Sequence, residues 1–127
     1  MEAFEKLEVW RRSAQLAIEL HRMLESCRHY GFRDQICRSA LSVPSNIAEG
    51  YERNSRREYL RFLKIAKGSC GELRTQLHIG IGAGILDDER CAEIYREAVE
   101  LARMLQAMTL RIESGLRADH MRAEDHL

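Results

Sequence analysis

Six basic side chains crowd one short stretch of the chain: Arg53, Arg56, Arg57, Arg61, Lys64 and Lys67. Wound as a helix at about 100° per residue, all six fall within a half-circle. Tyr59, Phe62, Ala66, Leu73 and Leu77 take the opposite side. A row of cations at that spacing neutralises phosphates, the sequence-independent part of nucleic-acid binding. No aromatic residue interleaves with the arginines to stack bases, so contact would run to the sugar–phosphate backbone with little sequence selectivity. Two plainer readings stand beside this one. The stripe is an ordinary solvated helix face, or it is one half of a contact with the acidic stretch from Asp87 to Glu100.

Other constellations carry less chemistry. Asn46, Glu49 and Arg53 gather near the end of the preceding apolar pattern. There they hold a ligand or partner or, more simply, cap the helix and fix the turn that follows. Gly68, Gly71 and Thr75 lie away from the main apolar face of the third segment. A glycine inside a helix costs about 1 kcal/mol relative to alanine, so these positions predict a close helix approach, placed between subunits. His21, Glu25 and His29 follow four-residue spacing and are of metal-ligand type, but His29 falls at the helix end, and no metal is expected.

The four cysteines (Cys27, Cys37, Cys70 and Cys91) are far apart and form no Cys-x-x-Cys pair. They read as reduced, packed thiols of a cytoplasmic protein. The two-carboxylate and Glu-x-x-His pattern of di-iron bundles is missing. So are a Ser-His-Asp set and a glycine-rich phosphate loop, and His120 and His126 belong to the end of the chain. The expectation is no enzyme, no cofactor and no small-molecule substrate.

The elements that position these residues are helices. Leu7, Trp10, Ala14, Ala17, His21 and Leu24 recur at helical spacing, with Val9, Leu16, Leu20 and Met23 as a second row. The spacing predicts a first helix from Phe4 to Ser26, stopped near Gly31. Ile36, Ala40, Val43 and Ile47 mark a second, from Phe32–Asp34 to Gly50, with a kink or break at Pro44. Ser42, Ser45 and Asn46 stand ready to bond the groups that Pro44 frees.

Ser55 and Glu58 match a capping box ahead of a third helix that runs to about Ile81 and ends at Gly80, Gly82 and Gly84. Cys91, Ile94, Ala98, Leu101, Leu105, Met108 and Ile112 form a fourth, started by Asp87, Asp88 and Glu89. Residues 115–127 read as a frayed or disordered tail. The fold class is therefore all-α, an antiparallel up-down-up-down four-helix bundle, with residues 1–114 as one domain.

Composition agrees. A chain of 127 residues makes about one domain and buries roughly two-thirds of its unfolded surface. A hydrophobic content of 45% with no net charge excludes a disordered polyelectrolyte. Nothing in the opening Met1 to Lys6 resembles a secretion signal, and no run is apolar enough to span a membrane. The zero balance is uneven: residues 1–81 hold 14 basic and 10 acidic side chains, whereas residues 82–127 hold 6 and 10. That excludes a polycation but not a basic face, which a cyclic oligomer would repeat in a ring.

The run from Gln35 to Gly50, with its core Ser42-Val43-Pro44-Ser45-Asn46-Ile47-Ala48-Glu49-Gly50, resembles the signature of the S23 ribosomal protein family, also called the 23S rRNA intervening-sequence protein family. Leu7-x-Val9-Trp10 is similar to the family's opening. Arg57-Glu58-Tyr59, Phe62-Leu63, Ile65-Ala66, Gly68-Ser69, Glu72-Leu73 and Gln76-Leu77 are similar to its third helix. The likeness covers about residues 4 to 112. It implies an antiparallel four-helix bundle that assembles as a homopentamer. Some members are encoded within an insertion of the 23S rRNA gene, which does not make them ribosome components. The accessory proteins of diversity-generating retroelements are similar bundles, and they bind nucleic acid and a reverse transcriptase. Cys37 and Cys70 depart from the usual pattern, where Arg or a larger apolar residue often stands. The combined expectation is a homo-oligomer that binds RNA or another nucleic acid through the basic stripe, or else a protein-interaction scaffold.

Overall fold

The computed structural model describes residues 3–126 and contains, among them, four α-helices and no strand. A 3-10 turn, Ala3–Lys6, precedes α1 (Glu8–Met23); α2 (Tyr30–Glu52), α3 (Arg56–Gly82) and α4 (Asp88–Asp125) follow. Each helix packs on two others: α1 on α2 and α4, α3 on α2 and α4. The arrangement is that of a four-helix bundle.

The helix starts follow local chemistry. At α3 the Ser55 hydroxyl accepts the Glu58 amide at 3.2 Å, one half of the capping box. The other half is absent, because the Glu58 carboxylate is turned to Arg61 at 2.9 Å and Arg53 at 3.7 Å. The short turn ahead of α1 is tied down by Arg11, whose guanidinium donates to the carbonyls of Glu5 and Lys6 at 3.3 and 2.7 Å. At the end of α3, Gly84 adopts φ +75°, a left-handed conformation that suits glycine, and the Ile85 and Leu86 amides return to the Gly80 carbonyl.

Three expectations need correction. Gly31 does not stop a helix; it lies in the first turn of α2, with open space around it. Pro44 does not break α2, which is helical from Tyr30 to Glu52. The Asn46 amide goes to the Ser42 carbonyl at 2.8 Å, not to the Ala40 carbonyl that Pro44 leaves without its usual partner. The stretch from Gly115, expected to fray, continues α4 as helix to Asp125; Leu127, like Met1 and Glu2, lies outside the described residues.

In α1 both apolar rows reach the core: Val9, Leu16 and Leu20 of the second row are buried, and so are Ala17 and Leu24 of the first. Of the first row, Leu7, Trp10 and Ala14 are half-buried and only His21 is exposed. Leu20, Ile36, Ile47, Leu63, Leu73, Leu77, Leu101 and Leu105 are fully buried in the bundle centre. Ser13 and Thr109 are buried among them, and each hydroxyl is satisfied by a carbonyl of its own helix three residues back.

Candidate nucleic-acid interface

Five of the six cations of the basic stripe stand on α3, which flanks α4, while Arg53 caps the end of α2, and all but one of the six have a polar partner among the described residues. Arg56 reaches Asp119 at 2.7 Å, Lys64 reaches Glu113 at 3.6 Å, and Lys67 donates to the Gln106 amide oxygen. Arg61 holds Glu58, and Arg53 bridges Glu49 at 3.0 Å and Glu58. Arg57 has no acidic partner among the described residues. The acidic half of the contact is therefore not the stretch from Asp87 to Glu100; it comes from the far end of α4 and from local glutamates.

These pairs remain wet. The side chains of Arg53, Arg56, Arg61 and Lys64 are each about half exposed, at 47%, 60%, 54% and 56%. Exposed pairs of this kind contribute about 0–1 kcal/mol each. A polyanion can exchange with their carboxylates at little cost. The Arg61 guanidinium holds the Glu58 carboxyl below the usual carboxylate range, and Arg61 is itself raised in return. Arg53 and Arg61 also lie over the Phe62 ring, at 5.1 and 4.5 Å from its centroid.

Of the polar trio at the end of α2, Glu49 and Arg53 pair, and Asn46 does something else. Its amide donates to both the carbonyl and the hydroxyl of Ser42, at 2.8 and 2.9 Å. The Ser42 hydroxyl meets that of Ser69 on α3 at 2.8 Å. The Ser42–Ser69 bond ties α2 to α3, and Asn46 braces Ser42 from within α2 in place of capping.

Gly68 and Gly71 are not pressed by a neighbouring helix of the same chain. A β-carbon at Gly68 would meet nothing within 4 Å, and one at Gly71 only the tip of Arg74, at 3.9 Å. Thr75 donates its hydroxyl to the Gly71 carbonyl at 2.9 Å. The Nε of Arg74, beside them, is buried with no hydrogen-bond partner among the described residues. The close approaches inside the chain are at Gly50, against Phe62, and at Gly80, against Leu86 and Phe32.

α1 ends at Met23, so Glu25 and His29 leave the face that carries His21, and the His21 ring is bonded to the Ala17 carbonyl at 2.7 Å. No group of three or more His, Cys, Asp or Glu among the described residues is placed to hold a metal. Burial pushes the Cys70 thiol up to about 11 and raises those of Cys37 and Cys91, so at neutral pH all three are protonated and poor nucleophiles. No helix among the described residues is long and apolar enough to cross a membrane.

Sequence reasoning missed one feature. A groove of about 600 Å³ opens between α1 and α2, with Phe4, Trp10, Ala14, Ile18, Leu41 and Pro44 on its walls. Ile18 is 45% and Leu41 53% exposed, a large cost for apolar side chains left in water. Its signal lay in the double apolar row of the first helix, one row more than a core needs.

A family model described as 23S rRNA-intervening sequence protein matches residues 5–107 of this chain. The chain belongs to that family. Its fold is similar to the 1.70 Å crystal structure of a protein of unknown function from the S23 ribosomal protein family of Bacteroides thetaiotaomicron. That likeness has a TM-score of 0.75 at 22% identity and covers 80% of this chain and 97% of the other. Among curated proteins none matches. In this family member the signature run lies in α2, where Pro44 borders the apolar groove while Ser42 reaches Ser69 on α3. The matched region ends at residue 107, so Glu113 and Asp119, the partners of Lys64 and Arg56, lie beyond it.

Proposed function

We propose that this chain is a non-enzymatic, homo-oligomeric bundle that holds the phosphate backbone of RNA or another nucleic acid on the outer face of α3. The observation that carries the reading is the row of half-exposed cations Arg53, Arg56, Arg61 and Lys64, held by partners that are themselves partly solvated. Its affinity is electrostatic, and its selectivity among sequences small. The helices run up-down-up-down and antiparallel, a course supported by the pairing of Arg56 with Asp119, Lys64 with Glu113 and Lys67 with Gln106.

Assembly as a homopentamer is part of this reading, as the family resemblance implies. The open face of Gly68, Gly71 and Thr75, with the unpartnered Arg74 Nε, supports a subunit contact there. The reading places the protein in the cytoplasm and gives it no metal, cofactor or small-molecule substrate. The triple variant Arg53→Glu, Arg57→Glu, Lys64→Glu tests it by retention of single-stranded RNA at low salt. Loss of retention with the helical circular-dichroism signal intact is expected; undiminished retention by the folded variant refutes the reading.

A second reading is favoured by the apolar groove between α1 and α2, which suits a protein-interaction scaffold with no nucleic-acid role. Steep salt dependence of RNA binding separates the two.

A further inference from the structure

The far end of α4 differs from the rest of the bundle in how it is held. Thr109 is the last buried residue of α4. Beyond it the helix continues to Asp125 with only half-buried apolar contacts, such as Ile112 and Leu116. Its remaining ties to the bundle are the pairs Glu113–Lys64 and Asp119–Arg56. Ser114 and Gly115, weak helix formers, fall between the two acids. A β-carbon at Gly115 would lie 2.8 Å from Nη2 of Arg56, so its missing side chain is what lets this guanidinium lie across α4 toward Asp119.

We infer that the α4 segment from Glu113 to Asp125 is an acidic strap that competes with nucleic acid for Arg56 and Lys64. The inference rests on the reading of the basic stripe as a phosphate site and adds regulation of that site. Tethered on the same chain, the strap carboxylates face the cations at high effective concentration, so two individually weak pairs suffice to compete. The segment lacks buried side chains, so it can lift without opening the core. A bound polyanion displaces it, and affinity is set lower than the bare stripe would give.

The test uses the full chain and three proteins: wild type, Glu113→Gln/Asp119→Asn, and a charge-matched control, Glu89→Gln/Glu93→Gln, at the opposite end of α4. Fluorescence anisotropy with a 5′-labelled oligouridylate is read across a sodium chloride series. Releasing two surface pairs strengthens binding by roughly three- to thirty-fold at low salt. It also steepens the log–log salt slope by about 0.7 per freed cation. The control, with the same charge change, shifts much less. Equal shifts in the two double variants overturn the strap and leave the phosphate site standing. Absence of binding by all three proteins at the lowest salt overturns the phosphate site, and the strap with it.

Discussion

A β-carbon added at Gly50 would lie 2.6 Å from the Cβ of Phe62. That atom is fixed to the α3 backbone, so it cannot swing aside as the far end of a flexible side chain can. Gly50→Ala must push α2 and α3 apart and should lower stability by about 1–3 kcal/mol, even though alanine is the better helix former by up to about 1 kcal/mol. Gly31→Ala, where the space is open, should stabilise slightly. Urea unfolding midpoints decide, and a Gly50→Ala protein as stable as wild type would contradict the close approach.

Alkali should weaken the fold through Cys70. The buried thiol titrates at about 11, above the ordinary thiol value of 9.0. Below about pH 9 folded and unfolded chains are both protonated here, and the group's contribution is intact. As pH rises from about 9 to 11 the unfolded chain loses the proton first, so it binds fewer protons and stability falls. The loss from this site is on the order of 2 kcal/mol. Cys70→Ala should be less stable at pH 7 but show a shallower decline above pH 9, and equal slopes would remove Cys70 as the cause.

Arg12 on α1 grips Glu97 on α4 with two nitrogens, Nε at 2.9 Å and Nη2 at 2.5 Å. Both side chains are only about one-third exposed, at 33% and 32%. Such two-point pairs exceed single surface contacts. Glu97→Gln should cost about 1 kcal/mol, whereas Glu49→Gln, which breaks a wetter pair within α2, should stay within about 0.5 kcal/mol of wild type. Thermal unfolding of the two variants side by side would expose a wrong ordering.

Gly71→Leu has room inside the chain, since only the tip of Arg74 lies nearby. Helicity should survive and assembly should not. Sedimentation velocity is expected to show smaller particles than wild type, and an oligomer of undiminished size would free this face from any subunit contact.

Much of the fold was legible because core side chains impose a period of 3.6. The register Leu63, Ala66, Cys70, Leu73, Leu77 is buried throughout, and Ser55 caps as its type and position require. In α1 the same rule left a choice open. Two apolar rows share one helix, and periodicity alone does not say whether Val9 and Leu20 or Trp10 and His21 turn inward. The final turns of α4 were illegible for the opposite reason: they bury almost nothing, so no apolar period marks them. The cations of the stripe were readable as residues of one face. Their partners were not, because Arg56 and Asp119 are 63 positions apart and nothing local links them.

Nearest-neighbour packing also carries a consequence for how the bundle forms. The contacts of α1 with α2, α2 with α3, and α3 with α4 each join consecutive helices and ask little loop closure. Only α1 with α4 spans the chain, and Arg12 and Glu97 stand 85 residues apart across that seam. Closing that seam carries the largest loop-closure cost of the four contacts. A second copy of the chain that offered its own α1 to that seam would make the same contacts with α4 while joining the two molecules.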